Sequence, residues 1–276
     1  MKGDLEYTKQ YADIINKCTL CMRCTVNCPS NVRTADLIVA ARADKTKQKG
    51  ISFPFNIVYK WILPRRILFG NIVRIASWLQ RIFMRRKEGG IRHLPFFLSG
   101  LMKGRYIPTI SAKFLRQMIP ETNLHKNNTD KPIRVGYFTG CMTDFVFPET
   151  GKNIIKLLND NGVDVIVPKA QGCCGAPVFL GAGDFETGRI MADSNVQAFK
   201  DVDIVIADCA TCSSSLKEYA KLLADTPERL EKYTAFTNKI VDITEFLVDT
   251  LKLPSEAYKI NNKFKGKDQA FPANSV

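Results

Sequence analysis

The sequence has few histidines and no long apolar run, and both scarcities exclude classes of protein. His93 and His125 are the only histidines among 276 residues. Neither is paired with a nucleophile, which argues against a histidine-dependent hydrolase. We expect His125 to be solvated in a polar linker and His93 to pack beside an apolar run. The apolar runs, such as residues 67–73 and 94–102, are far shorter than the roughly 18 residues of a membrane-spanning helix.

The first residues also lack the apolar core of a secretory signal peptide. The nine cysteines are an odd number, which argues against a secreted disulfide framework and predicts a reducing, cytoplasmic compartment. A chain of this length can bury an adequate core without cross-links. The cysteines fall into two groups, within residues 18–28 and 141–212, and we interpret both groups as ligands.

Acidic residues are scarce in one segment, residues 42–116. It holds 17 Lys or Arg against only two acids, a net charge of +15, whereas the whole chain carries +13. This pattern suits a membrane-surface or partner-binding face, and equally well a set of scaffold helices with solvated basic faces. No recognition motif accompanies the charge, so we do not expect nucleic-acid binding. The aromatic and basic residues that interleave here are Trp61, Trp78, Phe83, Phe96 and Phe97 with Arg65, Arg66, Arg85, Arg86 and Lys87.

The pattern of elements predicts an α/β fold with a small parallel sheet flanked by helices. We divide the chain into a segment with the first cysteine group (1–40), a basic region of short helices (41–130), a cysteine-rich α/β module (131–254) and a disordered tail (255–276), with a polar linker at 121–132. The predicted strands are 133–139, 163–168 and 202–208, and the predicted helices are 148–162, 184–201, about 213–224 and about 228–251.

The first cysteine group has the spacing C-x2-C-x2-C-x3-C-P, formed by Cys18, Cys21, Cys24 and Cys28 before Pro29. This spacing is typical of bacterial ferredoxins and predicts a 4Fe-4S cluster. A zinc site usually splits its ligands into two separated pairs, so zinc is the weaker interpretation. In two-cluster ferredoxins the fourth cysteine of each run binds the other cluster. Cys28 therefore either closes the same cluster or has its partner run on sequence not present here.

The second group consists of Cys141, Cys173, Cys174, Cys209 and Cys212. Four of these follow predicted strands, and the carboxyl ends of parallel strands share one edge, so we expect these cysteines to converge. Cys212 falls in the first turn of a helix, where the dipole favours a thiolate. Cys173 and Cys174 are neighbours in the chain, so their Cα atoms are about 3.8 Å apart. A disulfide between them would be strained, because an unstrained one needs a Cα separation of roughly 4.4 Å or more. A zinc ion, which would use four of the five thiols, stays an open alternative.

These five cysteines resemble the CCG module of the heterodisulfide reductase catalytic subunit. The ferredoxin run, the basic stretch and this module together most resemble the glycolate oxidase iron-sulfur subunit, over roughly residues 10–254, a family that includes subunits for lactate utilisation and anaerobic glycerol-3-phosphate oxidation. The resemblance implies a helical ferredoxin-like domain followed by the CCG module, with a second, non-cubane iron-sulfur cluster at the five cysteines. Those relatives carry two runs and two modules, so we expect a truncated member.

The resemblance implies an electron-transfer subunit of an oxidoreductase complex. A flavoprotein partner would oxidise a 2-hydroxy acid or glycerol 3-phosphate, and this chain would pass electrons toward a quinone or another carrier. The expected location is the cytoplasm, or the inner face of the membrane as a peripheral protein. Two alternatives remain open: a thiol-disulfide reductase like heterodisulfide reductase, and a zinc-stabilised interaction module.

Overall fold

The structure, a computed structural model, describes residues 8–83, 86–87, 90–91, 108–125 and 133–253. The expectations for His93, Arg85, Phe96, Phe97 and the tail 255–276 lie outside these residues, as do those for the side chains of Phe83, Arg86 and Lys87.

The amino-terminal half of the described chain is helical. The prediction of short helices in this region was wrong for α5, which runs for 18 residues, because its sequence contains no proline. No helix in the described ranges is long and apolar enough to cross a membrane. The elements are α1 (Lys9–Lys17), α2 (Arg23–Val26), α3 (Thr34–Lys49), α4 (Phe53–Ile57) with a π-helical turn (Val58–Ile62), α5 (Arg66–Phe83), the antiparallel pair β1 (Arg86–Lys87) and β2 (Gly90–Ile91), and α6 (Leu115–Met118).

The carboxy-terminal half is built on a five-stranded sheet of order β3-β5-β4-β6-β7, in which only β3 is antiparallel to its neighbour. The predicted α/β class is confirmed. The strands are β3 (Thr122–Asn123), β4 (Ile133–Phe138), β5 (Val163–Ile166), β6 (Ile204–Ala207) and β7 (Ile240–Asp242), and the helices are α7 (Cys141–Phe145), α8 (Pro148–Asp160), α9 (Phe185–Ala198), α10 (Ala210–Lys217), α11 (Tyr219–Leu223), α12 (Pro227–Thr237) and α13 (Ile243–Glu245), with π-helical turns at Pro177–Ala182 and Phe246–Thr250.

Strand β4 lies inside the sheet and feeds a core on each face. Its side chains alternate, so that Val135 and Tyr137 pack with Leu158 on one side while Phe138 packs with Phe199 on the other. A Cβ on Gly136 would lie 2.7 Å from the Phe199 ring. The glycine therefore lets the segment after α9 pack closely against the strand.

Two predicted helices were wrong in extent. The helix expected at 228–251 ends at Thr237, and Ile240–Asp242 instead forms β7, which pairs with β6 and buries Ile240. The pairing satisfies backbone groups at the sheet edge, and this outweighs the helical pattern of the flanking residues. The helix expected at 213–224 is two helices that begin earlier, at Ala210, and change direction at Glu218.

The predicted linker at 121–132 is structured at its start. Thr122 and Asn123 form β3, because Glu121 and Thr122 find hydrogen-bonding partners along β5 and the residue after it. His125 is not solvated as predicted: its Nδ1 lies 2.7 Å from Asp164 Oδ1, and both side chains are at least nine-tenths buried. The predicted boundary at residue 40/41 also falls inside α3.

Helix α5 presents its apolar side outward. Ser77 and Gln80 are its buried residues, with Ser77 Oγ donating to the Ser111 carbonyl and Gln80 exchanging hydrogen bonds with the Ile110 backbone. Most of its exposed side chains are apolar and repeat at helical spacing, and Asn71, Arg74 and Arg81 lie among them. The exposed apolar residues are Ile67, Leu68, Ile72, Ile75, Trp78, Leu79 and Ile82.

Candidate metal centres

The five later cysteines occupy the carboxyl edge of the parallel strands, as their order along the chain predicts. Cys141 begins α7 directly after β4, the Cys173–Cys174 pair follows β5, and Cys209 follows β6. Cys212 lies in the first turn of α10. A Cβ on Gly140 would lie 3.3 Å from Cys212 Sγ, so the turn after β4 approaches α10 as closely as a residue without a side chain allows.

The ionisation of these thiols shows that they act on one another. Hydrogen bonds to Cys174 and Cys209 raise the pKa of Cys212, and a hydrogen bond to Cys174 raises the pKa of Cys173. Although solvent reaches Cys141, desolvation and then the charges of Cys174 and Cys209 raise its pKa. All five thiols are free. They form one group of interacting thiols, hereafter the five-cysteine group.

The thiolate expected at Cys212 belongs instead to its neighbours. Hydrogen bonding from Cys212, supported by the backbone amides of Cys212 and Thr211, lowers the pKa of Cys209 to about 6. Hydrogen bonds from Cys173 and Cys212 likewise lower the pKa of Cys174. The prediction was wrong because Cys209 is the residue that caps the amino terminus of α10, where the free amide groups lie.

The "QGCCGAP" turn (171–177) is held from beneath by buried side chains. Gln171 is fully buried; its Oε1 accepts from the Thr139 amide at 2.8 Å and its Nε2 donates to the Tyr137 carbonyl at 3.1 Å. Asn195 Nδ2 donates to the Cys173 carbonyl, and Tyr219 Oη donates to the Cys174 carbonyl. The turn is therefore fixed to β4, α9 and α11 whatever its thiols bind.

Two arginines, with side chains 9% (Arg116) and 19% (Arg66) exposed, share one buried carboxylate beside this turn. Asp144 is bonded by Arg66 and, at 3.0 Å, by Arg116 Nε, while Arg116 Nη1 donates to the Gln171 carbonyl at 2.9 Å. Arg66 also interacts electrostatically with Cys173 and Cys141. The sequence suggested a solvated basic face for Arg66, but the structure places it against Asp144 and the Phe145 ring.

The first cysteine group lies in a loop with strained backbone. Leu20, Met22 and Asn31 have φ of 55°, 63° and 54°, and a left-handed residue other than glycine costs about 1–2 kcal/mol. Leu20 and Met22 flank Cys21, which is exposed. The Leu20 amide donates to Cys18 Sγ at 3.5 Å and the Val32 amide to Cys28 Sγ at 3.4 Å. Such strain at cysteines is typical of a functional loop.

Arg42 connects this loop to the α/β module. It is 5% exposed. Its guanidinium donates to the carbonyls of Ile15, Cys18 and Leu180, and Leu180 lies in the π-helical turn after Cys174. Sequence reasoning missed this residue, although a lone arginine between two alanines of a helix was a signal of a buried role.

A cleft of about 750 Å³ lies beside the first cysteine group. Cys18 and Cys21 line it together with Ala210, Thr211 and Ser215 of α10, the helix that contains Cys212. Gly183, with φ of +76°, lets the end of the π-helical turn pack against α3: a Cβ there would lie 2.4 Å from the Ala43 nitrogen. The cleft therefore lies between the Cys18 loop and α10, while the five-cysteine group is outside its lining.

The donor chemistry fits iron-sulfur clusters at both places. The nine residues offer only thiols, and backbone amides already donate to the sulfurs of Cys18, Cys28 and Cys173, as hydrogen bonds to cluster sulfurs do. Within the described ranges, no three His, Cys, Asp or Glu side chains form a group that could hold one metal ion. Iron-sulfur clusters are held by cysteine thiolates, which is the donor set of both groups.

A comparison with known protein families matches only the carboxy-terminal half of the chain. Residues 135–217 match the CCG family, described as a cysteine-rich domain. Over these residues the chain is similar to that family. They contain the whole five-cysteine group, whereas Cys18 to Cys28 lie outside the match.

The proteins similar to this chain include an iron-sulfur subunit, a lactate utilization protein and a fumarate reductase subunit. The probable glycolate oxidase iron-sulfur subunit of Bacillus subtilis is 29% identical over 90% of this chain and 56% of its own length. Lactate utilization protein A of Shouchella clausii is 33% identical over 44% of this chain and 50% of its own length. A CoM/CoB fumarate reductase subunit of Methanothermobacter marburgensis is 33% identical over 43% of this chain and 22% of its own length. The predicted resemblance is confirmed.

The chain spans about half the length, or less, of these relatives. No solved structure matches it.

Proposed function

We propose that this chain is an iron-sulfur electron-transfer subunit of a flavin-linked dehydrogenase that acts on a 2-hydroxy acid or glycerol 3-phosphate. Cys18, Cys21, Cys24 and Cys28 would hold a 4Fe-4S cluster, and the five-cysteine group would hold a second, non-cubane cluster. The observation that carries the proposal is the pairing of a ferredoxin-type loop with a CCG domain on one scaffold, joined through Arg42. The substrate would belong to a flavoprotein partner, and a quinone or another carrier would be the acceptor.

The protein's own residues hold the two cysteine groups in position. Bound clusters supply one-electron redox chemistry. Arg42 fixes the Cys18 loop against the π-helical turn, and the ion pair between Lys221 and Asp36 ties α11 to α3 at 3.0 Å. Gln171 and Asn195 hold the "QGCCGAP" turn, hereafter the CCG turn. Together these contacts fix the separation of the two sites, on which an electron-transfer rate depends.

Metal analysis of anaerobically purified protein tests the proposal. We expect iron with acid-labile sulfide, and zinc alone would identify an interaction module instead. Cys21→Ser should lower bound iron and block electron flow while the partner's flavin remains reducible. A matched change, Met22→Leu, leaves all the thiols in place and should keep full iron. Full iron and unchanged turnover in Cys21→Ser would contradict the proposal, and rapid reduction of a small disulfide by the isolated chain would favour a thiol-disulfide reductase.

We also infer that the chain associates peripherally with an anionic membrane surface in the cytoplasm, through the outward side of α5. Ile67, Ile75 and Trp78 on that side are 82%, 59% and 60% exposed. A run of exposed apolar side chains this long is unusual on a monomer surface and indicates an interaction site. Basic side chains flank it, with the Arg65 guanidinium 4.7 Å from the Trp61 ring. The excess positive charge of residues 42–116 favours anionic lipid.

Vesicle sedimentation tests this surface. Ile75→Gln should weaken binding to phosphatidylglycerol vesicles by roughly fivefold to thirtyfold, the effect of losing about 1–2 kcal/mol of apolar burial. Ile190→Gln is the matched control, because Ile190 is also 59% exposed but lies on α9. Equal losses in both variants would contradict the assignment of this surface.

A further inference from the structure

A basic cleft lies between α5, α6 and α7, beside the five-cysteine group. Its volume is about 220 Å³, enough for a small ion and too small for a nucleotide. Four cationic side chains line it, and its lining includes one carboxylate, that of Asp144. The cations are Arg66, Arg74, Arg116 and Lys169.

The positive charge of this cleft exceeds what its carboxylate balances. Asp144 already accepts from both Arg66 and Arg116. Burial, followed by the charge of Arg66, lowers the pKa of Arg116 to about 10, which shows that the two arginines repel each other despite the shared aspartate. A second negative charge near them would relieve that repulsion.

One arginine nitrogen is left without a partner. The Arg116 side chain is 91% buried, and its Nη2 is buried without a hydrogen bond to any group in the described part of the chain. A buried guanidinium N–H without an acceptor is costly. Asn71 and Gln117 add neutral amide groups to the lining, and Phe114 and Phe145 pack edge to face at 4.8 Å beside it. The lining therefore offers N–H donors and positive charge, next to well-packed aromatic rings.

From these contacts we propose that the cleft binds a small soluble oxyanion, carrying a phosphate or carboxylate group. Arginines that lie close together bind such groups through paired N–H donors. The ligand would lie one residue contact from the CCG turn, because Arg116 also donates to the Gln171 carbonyl. This proposal does not depend on the metal content of either cysteine group.

Calorimetric titration of the full chain with inorganic phosphate, at constant ionic strength, tests the site. We expect saturable binding of one phosphate per chain. Arg74→Gln and Lys169→Gln should each weaken it by roughly fivefold to tenfold, the effect of losing one partly exposed charged hydrogen bond. Both side chains are exposed, so neither change disturbs the core. Arg81→Gln, an exposed arginine of the same helix outside the cleft, should bind phosphate like the unaltered chain.

Three results would overturn the proposal. The first is no saturable binding by the unaltered chain. The second is an equal loss in Arg81→Gln, which would show general attraction to a basic surface. The third is binding to phosphatidylglycerol vesicles that depends on Arg74 and Lys169 without any binding of free phosphate, which would assign these residues to the membrane surface.

Discussion

Replacement of Arg42 by lysine tests how the two cysteine groups are held together. The guanidinium contacts three backbone carbonyls, those of Ile15, Cys18 and Leu180, at distances between 2.5 and 3.2 Å. Lysine keeps the charge, but its single nitrogen cannot replace a planar fork with donors in several directions. We expect it to keep one of the three carbonyls and lose the other two.

The size of the effect follows from those two lost contacts. A hydrogen bond to a charged group contributes about 1.5–3 kcal/mol, so Arg42→Lys should lower the free energy of unfolding by about 3–6 kcal/mol. The Cys18 loop should also lose iron, because its carbonyl anchor is gone. Arg33→Lys is the control: Arg33 pairs with Asp36 on the surface and its side chain is 64% exposed, so its replacement should cost about 0–1 kcal/mol.

Urea unfolding and iron content, measured on anaerobically purified protein, check this prediction. Arg42→Lys should lose no more iron than Cys21→Ser, because the five-cysteine group keeps its own anchors. An unfolding free energy within about 1 kcal/mol of the Arg33→Lys value would refute the reasoning. So would full iron retention, since it would show that the loop does not depend on Arg42 for its position.

Three further predictions concern the glycine contact, the CCG turn and a thiol. Gly183→Ala should lower the free energy of unfolding by about 2–4 kcal/mol, because the new Cβ would lie 2.4 Å from backbone and the φ of this residue is left-handed. Gly70→Ala is the control, because Gly70 lies in open space within a helix; it should raise the free energy of unfolding by about 0.5–1 kcal/mol. Urea titration measures both changes. Gln171→Leu should cost about 2–4 kcal/mol by orphaning the Thr139 amide and the Tyr137 carbonyl, and retention of the unaltered melting temperature would contradict this. In the metal-free chain, alkylation of Cys209 by iodoacetamide should accelerate as the pH rises through about 6, since only the thiolate reacts. Cys141 should react slowly until the pH exceeds the ordinary pKa of a cysteine thiol. Mass spectrometry at stepped pH measures both rates, and parallel profiles for the two residues would contradict the prediction.

Much of the fold was predictable because its signals are local. Apolar runs alternating with helical segments placed β4, β5 and β6 within two residues of their observed ends. Because parallel strands end at one edge of a sheet, the same pattern also predicts that Cys141 and Cys209 lie together. Strand β7 escaped because its three residues lie between helical segments, and only pairing with β6 identifies them.

The contacts that hold the candidate sites were not predictable, because they join residues distant in sequence. Arg42 and Leu180 are 138 positions apart, and Tyr219 and Cys174 are 45 apart. No periodic pattern records such pairs. The outward apolar side of α5 was hidden for another reason: amphipathicity shows that a helix has two sides, but the placement of Ser77 and Gln80 decides which one is inside.

The fixed CCG turn has a consequence for how metal enters the protein. Gln171, Asn195 and Tyr219 order its backbone through protein contacts alone, so the entropy of arranging those thiols is lost during folding rather than on binding. The Cys18 loop has left-handed residues and exposed thiols instead, and there the metal would have to offset the strain. A chelator should therefore leave the sheet folded while the loop relaxes, which makes the loop the last part to assemble and the first to be lost.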